Sequence, residues 1–268
     1  MMMDVTGLAE RQLSDSDAVQ PGSMFAESLT LSEEHAYAIQ AEVCRLREQR
    51  GEAVIGYKVG CTSPGIQQQL GIDHPVFGRL WNSGCWHSGE MLSRSRFDHL
   101  AIEGELAVRL ATGLTCGDTS EAAIQAAIES VFPVIELHHF VFRGSEPSAA
   151  ELIANNAIHA GVVLPADPGV TLEDGSGVLR IEMNGSEMAH VTEEQSRVTV
   201  MNSLGWLVQE LADHGIDLEA GQVVLCGSVA DLFPMREAGQ VTVSTERAGA
   251  VTCNFTDDSQ ETSERTES

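Results

Sequence analysis

The chain contains, near its middle, the stretch Ala101-Ile102-Glu103-Gly104-Glu105-Leu106-Ala107-Val108, in which two acidic residues interrupt an apolar segment. Small and branched apolar residues in a run of this length predict a β-strand. Side chains two residues apart on a strand project from the same face, so Glu103 and Glu105 are expected to lie side by side. Such a pair can hold a metal ion, although solvated strand faces also carry this spacing.

A third carboxylate lies in another apolar run, Val131-Phe132-Pro133-Val134-Ile135-Glu136-Leu137, which predicts a second strand. Glu136 could join the Glu103 and Glu105 pair. Three carboxylates suit a hard divalent ion, because Mg²⁺ and Mn²⁺ accept oxygen ligands together with water or substrate. Zinc would be expected to recruit His or Cys as well. If the three acids bind an ion, Mg²⁺ or Mn²⁺ is therefore the expected one, while the spacing alone also fits a solvated strand face.

The segments around these two strands contain both helix and strand signals. Ser32 caps an amphipathic helix that continues to Leu46, and Ala53 to Gly60 predicts a strand with Lys58 inside it. Asp73 to Ser93 contains many turn residues and predicts a long loop that serves as a lid. Further helices are predicted at 62–70, 119–127, 149–157 and 200–214, and further strands at 161–164, 178–183, 223–226, 241–243 and 250–255.

The strands do not alternate regularly with helices, as a doubly wound sheet would require. We therefore expect an α+β fold, with helices around a curved, mixed β-core and a helical N-terminal part. At 268 residues, one large domain is the first choice. Residues 1–25 are predicted to be a flexible segment, residues 26–255 the domain, and residues 256–268 a disordered acidic tail without apolar anchors.

Composition excludes several classes of partner. The formal charge of −25 would repel nucleic acid and anionic membranes, so metal ions, small molecules and other subunits are the expected partners. The six cysteines form no C-x-x-C pair, which favours reduced thiols. Neither a secretory h-region nor a run of roughly 18 apolar residues is present, so a cytoplasmic location is expected.

Several motifs, in order and spacing, resemble the 2-oxopent-4-enoate hydratase and 4-oxalocrotonate decarboxylase group of the fumarylacetoacetate hydrolase (FAH) superfamily. They are Gly56-Tyr57-Lys58-Val59-Gly60-Cys61-Thr62, Gln67-Gln68-Gln69-Leu70-Gly71-Ile72-Asp73-His74-Pro75-Val76-Phe77-Gly78, Ile102-Glu103-Gly104-Glu105, Phe132-Pro133-Val134-Ile135-Glu136, Ala154-Asn155-Asn156-Ala157, Asn202-Ser203-Leu204-Gly205-Trp206-Leu207, Ala220-Gly221-Gln222-Val223-Val224-Leu225-Cys226-Gly227-Ser228 and Phe233-Pro234-Met235. The resemblance extends from about Ser32 to Phe255. It implies an FAH-like core, resembling a β-roll or barrel, and a homo-oligomer that associates with a related pathway enzyme.

The resemblance also implies roles for four residues. Glu103, Glu105 and Glu136 match the metal carboxylates of the family, and Lys58 matches a lysine that lines its active site. The family binds a short 2-oxo acid whose C1 carboxylate and C2 carbonyl chelate the ion. The cation then stabilises the negative charge that develops on the C2 oxygen as an enolate forms. A lone strand lysine otherwise usually extends to solvent.

Other residues are weaker candidates. His138 and His139 follow Glu136 closely and are candidates for a general base or a partner of the ligands, although paired histidines at strand ends are often ordinary polar residues. His74 is a candidate for substrate contact from the predicted lid. Gly227 and Ser228 offer backbone N–H groups and a hydroxyl to a substrate carboxylate, or simply form a turn.

The same enolate serves hydration, decarboxylation and carbon–carbon hydrolysis, so the fold and the metal do not select the reaction. Hydratases of the group often read D-x-P-D-F-G, whereas this chain has Val76 at the second acid, and Asn155 stands where the family often has Asp. These departures weaken the prediction of hydration. We nevertheless expect a lyase of aromatic-compound catabolism, most closely a 2-oxopent-4-enoate hydratase-like enzyme, with 4-oxalocrotonate decarboxylase-type activity as the alternative.

Two further alternatives remain at this point. Acylpyruvate hydrolases of the superfamily typically carry an H-x-x-E motif on a short lid helix. Between Asp73 and Ser93 this spacing occurs at His87-Ser88-Gly89-Glu90, where the Ser-Gly pair predicts a turn rather than a helix. A non-catalytic partner subunit is the other alternative, because two acids of the family pattern are missing. Retention of three metal carboxylates and Lys58 favours an enzyme.

Overall fold

The computed structural model describes residues 3–20, 23, 29–139 and 148–257. The described helices are α1 (Val5–Asp17), α2 (Glu33–Gln49), α3 (Pro64–Leu70), α4 (Glu121–Ala127), α5 (Ala149–Ala154) and α6 (Glu193–Asp213). The described strands are β1 (Val54–Gly60), β2 (Val76–Trp81), β3 (Cys85–His87), β4 (Met91–Ser93), β5 (Ala101–Leu110), β6 (Ile128–His138), β7 (His159–Leu164), β8 (Leu179–Met183), β9 (Ser186–Val191), β10 (Val223–Leu225), β11 (Phe233–Pro234), β12 (Gly239–Thr245) and β13 (Ala250–Thr256).

The strands form two mixed sheets. The larger sheet has the order β2-β1-β10-β5-β6-β7-β3, with β11 added to β5, and the smaller has the order β4-β13-β12-β8-β9. The pairs β1 with β10, β3 with β7 and β4 with β13 are parallel, and the other pairs are antiparallel. This mixture of helices and mixed sheets confirms the expected α+β class.

The larger sheet curls until its β2 edge approaches the start of β7. The side chain of Asn156, just before β7, accepts a hydrogen bond from the Arg79 N–H at 2.7 Å and donates one to the Arg79 carbonyl at 2.9 Å. These bonds satisfy backbone groups on an edge strand, which would otherwise be open to pairing. The curled sheet therefore has an enclosed inner face.

The two faces of β5 have different environments. Ile102, Leu106 and Val108 belong to the main apolar core, in which the two sheets pack together. Gly104 lies at the closest approach, because a Cβ there would be 2.6 Å from Ile181 and 2.8 Å from Val243 of the smaller sheet. The glycine between the two glutamates therefore lets the second sheet pack against β5, while the glutamates point to the inner face.

The inner face is partly apolar and partly charged. One part of it forms a separate small cluster of buried side chains, namely Leu80, Ala107, Phe132, Val134, Val162, Leu164, Val223 and Leu225. The register places Glu105 opposite Val134, and Lys58 opposite Leu225, at the edge of this cluster. The charged side chains and the small apolar cluster thus lie on the same enclosed face of the larger sheet.

Several sequence-based boundaries need correction. The predicted loop at 73–93 contains β2, β3 and β4, and β2 pairs along its length with β1. Every residue of β2 is buried, with Val76 and Phe77 in the main core and Leu80 in the small cluster of the inner face. The helix predicted at 200–214 begins at Glu193, where Thr192 and Gln195 form a capping box. The helix predicted at 149–157 ends at Ala154, and β9 was not predicted.

The terminal predictions have different outcomes. Within the segment predicted to be flexible, residues Val5–Asp17 form α1, which is capped by Asp4 and buries Ala9 and Gln12. Thr256 belongs to β13, and most of the predicted disordered tail, residues 258–268, lies outside the described residues. In the described ranges, none of the helices combines the length and the hydropathy that a membrane crossing needs. The division into domains stays a prediction.

Candidate active site

The carboxylates meet because β5 and β6 pair in a particular register. Glu103 lies directly opposite Glu136, and Glu105 follows two residues later on the same face. The strand period that predicted the first pair thus also aligns the third acid. Glu105 and Glu136 are 2% and 1% exposed, whereas the Glu103 side chain retains 21% exposure. Glu103 therefore lies closest to solvent.

His138 lies on the same face, two residues after Glu136. Its Nε2 atom is 3.2 Å from Oε2 of Glu103 and 3.7 Å from Oε2 of Glu136. Ligand atoms of Glu103, Glu136 and His138 all lie within 4.8 Å of one another, which is close enough to share one metal ion. Sequence reasoning placed His138 near the site as a base or partner, and the structure brings it among the donor atoms.

Among the three acids, Glu105 lies in the environment that least favours a negative charge. Gly227 donates its backbone N–H to Oε2 of Glu105, and Oε1 is buried without a hydrogen-bond partner in the described part of the chain. Burial, followed by the negative charges of Glu136 and Glu103, raises the pKa of Glu105 well above its usual value. A cation beside these three acids would relieve both the repulsion and the missing bond.

Gly227 and Ser228 were predicted to contact a substrate carboxylate. In the described structure the Gly227 N–H is directed at Glu105 instead, and the Ser228 hydroxyl donates to the Ala230 carbonyl at 3.0 Å. Gly227 has a φ of +88°, and a Cβ there would be 2.9 Å from the Val59 carbonyl. The turn therefore requires glycine, and its N–H also holds an acid of the candidate site. Contact of Gly227 and Ser228 with a substrate carboxylate stays a prediction.

Lys58 is the single lysine of the chain and is 3% exposed. Its Nζ atom lies 3.2 Å from Oε1 of Glu136, so it does not extend to solvent. Burial acts to lower the pKa of Lys58, but the charges of Glu136, Glu103 and Glu105 outweigh it and raise the pKa. The side chain is therefore a permanent cation inside the acidic cluster.

His159 is a member of the site that sequence reasoning missed. Its Nδ1 atom lies 2.7 Å from Oε1 of Glu136. Although burial opposes ionisation, Lys58, His138 and His159 lower the pKa of Glu136 well below its usual value. Because Glu136 is ionised, Nδ1 of His159 carries the proton and donates this bond. His159 thus fixes one oxygen of Glu136 and leaves the other for His138 or an ion.

The backbone before β7 explains why His159 was not found. Asn156, Ala157 and Ile158 have φ values of 55°, 51° and 58°, which is an uncommon left-handed run of residues with side chains. A register shift between β6 and β7 then pairs His159 with His138. No sequence signal predicts three such residues in succession; only the Asn-Asn pair, which tolerates this conformation, offered a hint.

The other predicted histidines lie outside the acidic cluster. His74 contacts Glu33 of α2, with 3.1 Å between Nε2 and Oε2. Nδ1 of His139 accepts the Asp98 N–H at 3.0 Å, and burial lowers the pKa of His139 to about 4. His139 also borders a cavity of about 120 Å³, with Arg47 and Trp81 in its lining. Neither His74 nor His139 has a described contact with Glu103, Glu105 or Glu136, so their predicted roles in substrate binding and catalysis gain no support from the geometry.

The two departures from the family pattern lie in different places. A Cβ at Gly60 would be 3.2 Å from Nζ of Lys58 and 3.7 Å from Cγ2 of Val76, so both side chains approach the same point. Asn155 instead donates to the Glu151 carbonyl at 2.9 Å and accepts a bond from Gln12. Val76 therefore lies near Lys58, whereas Asn155 joins α5 to α1.

Comparisons with known proteins identify relatives of this chain. A 2-keto-4-pentenoate hydratase of Burkholderia vietnamiensis is 30% identical over 83% of this chain and 86% of that protein. A 2-oxo-hept-4-ene-1,7-dioate hydratase of Escherichia coli is also 30% identical, with the same coverage of both chains. The solved 4-oxalocrotonate decarboxylase of Pseudomonas putida G7, complexed with magnesium and adipate, gives a TM-score of 0.87 at 23% identity over 95% of this chain and 99% of that chain.

No protein-family model matches the chain. The two hydratases at 30% identity nevertheless cover most of both sequences, and the likeness in fold extends over nearly the whole chain. Two of the motifs that carried the resemblance, Ile102-Glu103-Gly104-Glu105 and Phe132-Pro133-Val134-Ile135-Glu136, pair with each other in the larger sheet and place Glu103 opposite Glu136. The chain belongs to the 2-oxopent-4-enoate hydratase and 4-oxalocrotonate decarboxylase group, and its fold is that of solved fumarylacetoacetate hydrolase proteins.

Proposed function

We propose that the protein is a divalent-metal-dependent lyase that acts on a small unsaturated 2-oxo acid, with hydration of a 2-hydroxydienoate as its principal reaction. The observation that carries this proposal is the convergence of three acids and one buried lysine at a single point: Glu103, Glu105, Glu136 and Lys58. A solvated strand face would not bury these groups. The names of the hydratase relatives support the reaction class.

The residues fit a divalent ion. Glu103, Glu105 and Glu136 would hold Mg²⁺ or Mn²⁺, because an unpartnered buried oxygen of Glu105 and the mutual repulsion of the acids both call for a cation. The ion would supply positive charge against the C1 carboxylate and C2 oxygen of the substrate. The magnesium in the Pseudomonas putida G7 relative supports this choice of cofactor.

The protein residues prepare the site in three ways. Lys58 holds a proton on Nζ and presents a fixed positive charge to an anionic substrate, and His159 orients Glu136 through Nδ1. The Gly227 N–H orients Glu105. Burial of these groups excludes bulk water, which strengthens their electrostatic interactions.

A decarboxylase reaction is the second candidate, and Val76 favours it. Position 76, beside Lys58, carries an apolar valine where hydratases of the group often have an acid, so this position supplies no carboxylate to handle the proton of an added water molecule. Leu80 and Leu225 extend the apolar surface of the inner face. Loss of carbon dioxide needs less proton transfer at the distal end of the substrate than hydration does.

The test incubates the metal-loaded protein separately with 2-hydroxypenta-2,4-dienoate, 4-oxalocrotonate and an acylpyruvate, following ultraviolet absorbance and released carbon dioxide. Hydration predicts loss of dienoate absorbance without carbon dioxide. Carbon dioxide from oxalocrotonate alone would support the second candidate instead. Turnover of the acylpyruvate alone would indicate the hydrolase, and no turnover of any substrate would indicate a partner subunit.

A matched pair of variants assigns the activity to this site. Glu136→Gln removes one charge from the cluster, whereas Glu129→Gln makes the same change at an exposed position of the same strand. We expect turnover to fall at least about 100-fold in the first variant, as for groups that stabilise transition-state charge. The second variant should retain it. Equal turnover in both variants would contradict the assignment.

The proposal also covers the cellular compartment of the protein and its oligomeric state. All six cysteines are free, which supports a reducing, cytoplasmic compartment. The homo-oligomer, and an association with a related pathway enzyme, stay predictions that gel filtration with light scattering would test.

A further inference from the structure

His138 adds a ring nitrogen to the group of side chains that could bind the metal ion. The residue ends β6, is 1% exposed, and directs Nε2 toward Oε2 of Glu103 and Oε2 of Glu136, at 3.2 and 3.7 Å. Neither ring nitrogen has a hydrogen-bond partner among the described residues. Buried polar atoms are nearly always paired, so this ring requires an explanation.

The neighbouring histidine provides a contrast. His139 follows His138 directly, and its Nδ1 atom accepts a hydrogen bond from Asp98 at 3.0 Å. His159, on the other side of the cluster, is likewise paired through Nδ1 with Glu136. Of these three rings, His138 alone has no hydrogen-bond partner at either nitrogen among the described residues, and its Nε2 is directed at two carboxylates. An imidazole lone pair in that position can complete the shell of a bound cation.

We propose that His138 is a nitrogen ligand of the divalent ion, beside Glu103 and Glu136, and that this mixed donor set makes the site select Mn²⁺ over Mg²⁺. The inference rests on the proposed metal site, since it requires that an ion is bound there. Mg²⁺ is a hard cation that prefers oxygen, whereas imidazole suits first-row transition metals. The three carboxylates alone would not predict this preference.

The most direct test is pulsed electron paramagnetic resonance of the Mn²⁺-loaded protein. A coordinated imidazole produces ¹⁴N modulation of the electron spin echo, and carboxylates do not. We expect the modulation in the wild-type protein, its loss in His138→Asn, and its retention in His139→Asn, which makes the same change one residue away. Modulation that persists in His138→Asn, or that disappears instead in His159→Asn, would overturn the inference.

A competition titration of Mn²⁺ against Mg²⁺ gives a second measurement that does not depend on turnover. His138→Asn should weaken Mn²⁺ binding by roughly tenfold or more and change Mg²⁺ binding much less, so the preference for Mn²⁺ should shrink. An unchanged ratio would count against the proposal. His138→Gln serves as a second variant, with circular dichroism as the check of folding, and the wild-type spectrum tests the proposal without either variant.

The outcomes separate this inference from the proposed function. Binding of Mn²⁺ without ¹⁴N modulation in the wild-type protein would remove His138 from the shell and leave the carboxylate site intact. If the wild-type protein binds neither ion, the proposed metal site itself is wrong. Modulation that is lost in His138→Asn, together with turnover of a 2-oxo acid, would support both.

Discussion

Glu103 of β5 and Glu136 of β6 are direct cross-strand partners in the larger sheet. Two like charges placed opposite each other destabilise a strand pair. Here Lys58 and His159 contact Glu136, while Glu103 retains access to solvent. The sheet therefore tolerates the pair without removing the repulsion, which leaves a driving force for binding a cation.

The raised pKa of Glu105 predicts how the stability of the metal-free protein depends on pH. Above the usual pKa of a glutamate, the unfolded chain releases this proton while the folded protein retains it, so folding stability falls as pH rises. Because glutamine does not ionise, Glu105→Gln removes this loss of folding stability at higher pH. The new amide can also donate a hydrogen bond to Glu136. We expect the variant to exceed wild type by about 1 kcal/mol or more at pH 7 and by less at pH 4.5.

Urea denaturation of both proteins after removal of metal measures this difference. Glu129→Gln, at an exposed position of β6, is the matched control and should change stability equally at both pH values. Adding Mn²⁺ should then reverse the order, because only the wild-type protein keeps all three carboxylates. A stability difference for Glu105→Gln that is independent of pH would contradict the prediction.

The burial and raised pKa of Lys58 predict resistance to amine chemistry. Reductive methylation requires a neutral, accessible amine, and Lys58 is 3% exposed beside Glu136. Because the chain has no other lysine, one peptide reports the result. We expect no methylation of the native protein at pH 8 and complete methylation in urea, measured by mass spectrometry of that peptide.

A variant extends this experiment to the site itself. Glu136→Gln removes the negative charge 3.2 Å from Nζ of Lys58, which lowers the pKa of Lys58, and should allow its partial methylation under native conditions. Rapid methylation of the native wild-type protein would mean that Lys58 is not enclosed in the cluster.

The hydrogen bond from His159 to Glu136 predicts that His159 increases the affinity of the site for its metal ion. His159→Leu removes the donor that fixes Oε1 of Glu136, and loss of such a supporting bond typically weakens metal binding about 10–100-fold. Turnover at saturating metal should fall much less. His159→Asn, which keeps a donor, should recover part of the affinity, as measured by calorimetric titration.

The matched control for this prediction is a histidine–glutamate pair elsewhere. His190 contacts Glu187 on β9 with 2.9 Å between Nδ1 and Oε1, and His190→Leu should leave metal affinity unchanged. An effect of similar size in both variants would indicate a general loss of stability rather than a role at the metal site.

The lowered pKa of His139 predicts acid sensitivity. Burial holds this pKa at about 4, while an unfolded histidine has a pKa near 6.5. Between these values the unfolded chain takes up a proton that the folded protein does not, so stability is complete above about pH 6.5 and falls as pH decreases toward 4. The loss should reach about 2–3 kcal/mol.

Denaturation curves at several pH values between 4 and 7 test this sign. His139→Gln should show a smaller loss on acidification than wild type, and His99→Gln, at a largely exposed histidine, should show the wild-type loss. The same slope in His139→Gln and wild type would show that another group is responsible.

The local sequence predicted the acids of the site and several elements of the fold. Alternation along β5 placed Glu103 and Glu105 on one face, and the cap at Ser32 marked the start of α2. Such signals succeed because strand period and helix capping depend on neighbouring residues. Local signals failed for β2, where neighbouring turn residues concealed a strand that pairs with β1 and packs its side chains into two apolar clusters.

The tertiary structure determined which histidines reach the acids. The sequence contains the pair His138 and His139, but pairing with β7 directs the first toward Glu103 and leaves the second with Asp98. His159 reaches Glu136 through a left-handed turn and a register shift. Sequence alone therefore determined the carboxylates and the family, whereas long-range strand pairing decided the nitrogen groups around them, because register depends on contacts between distant segments.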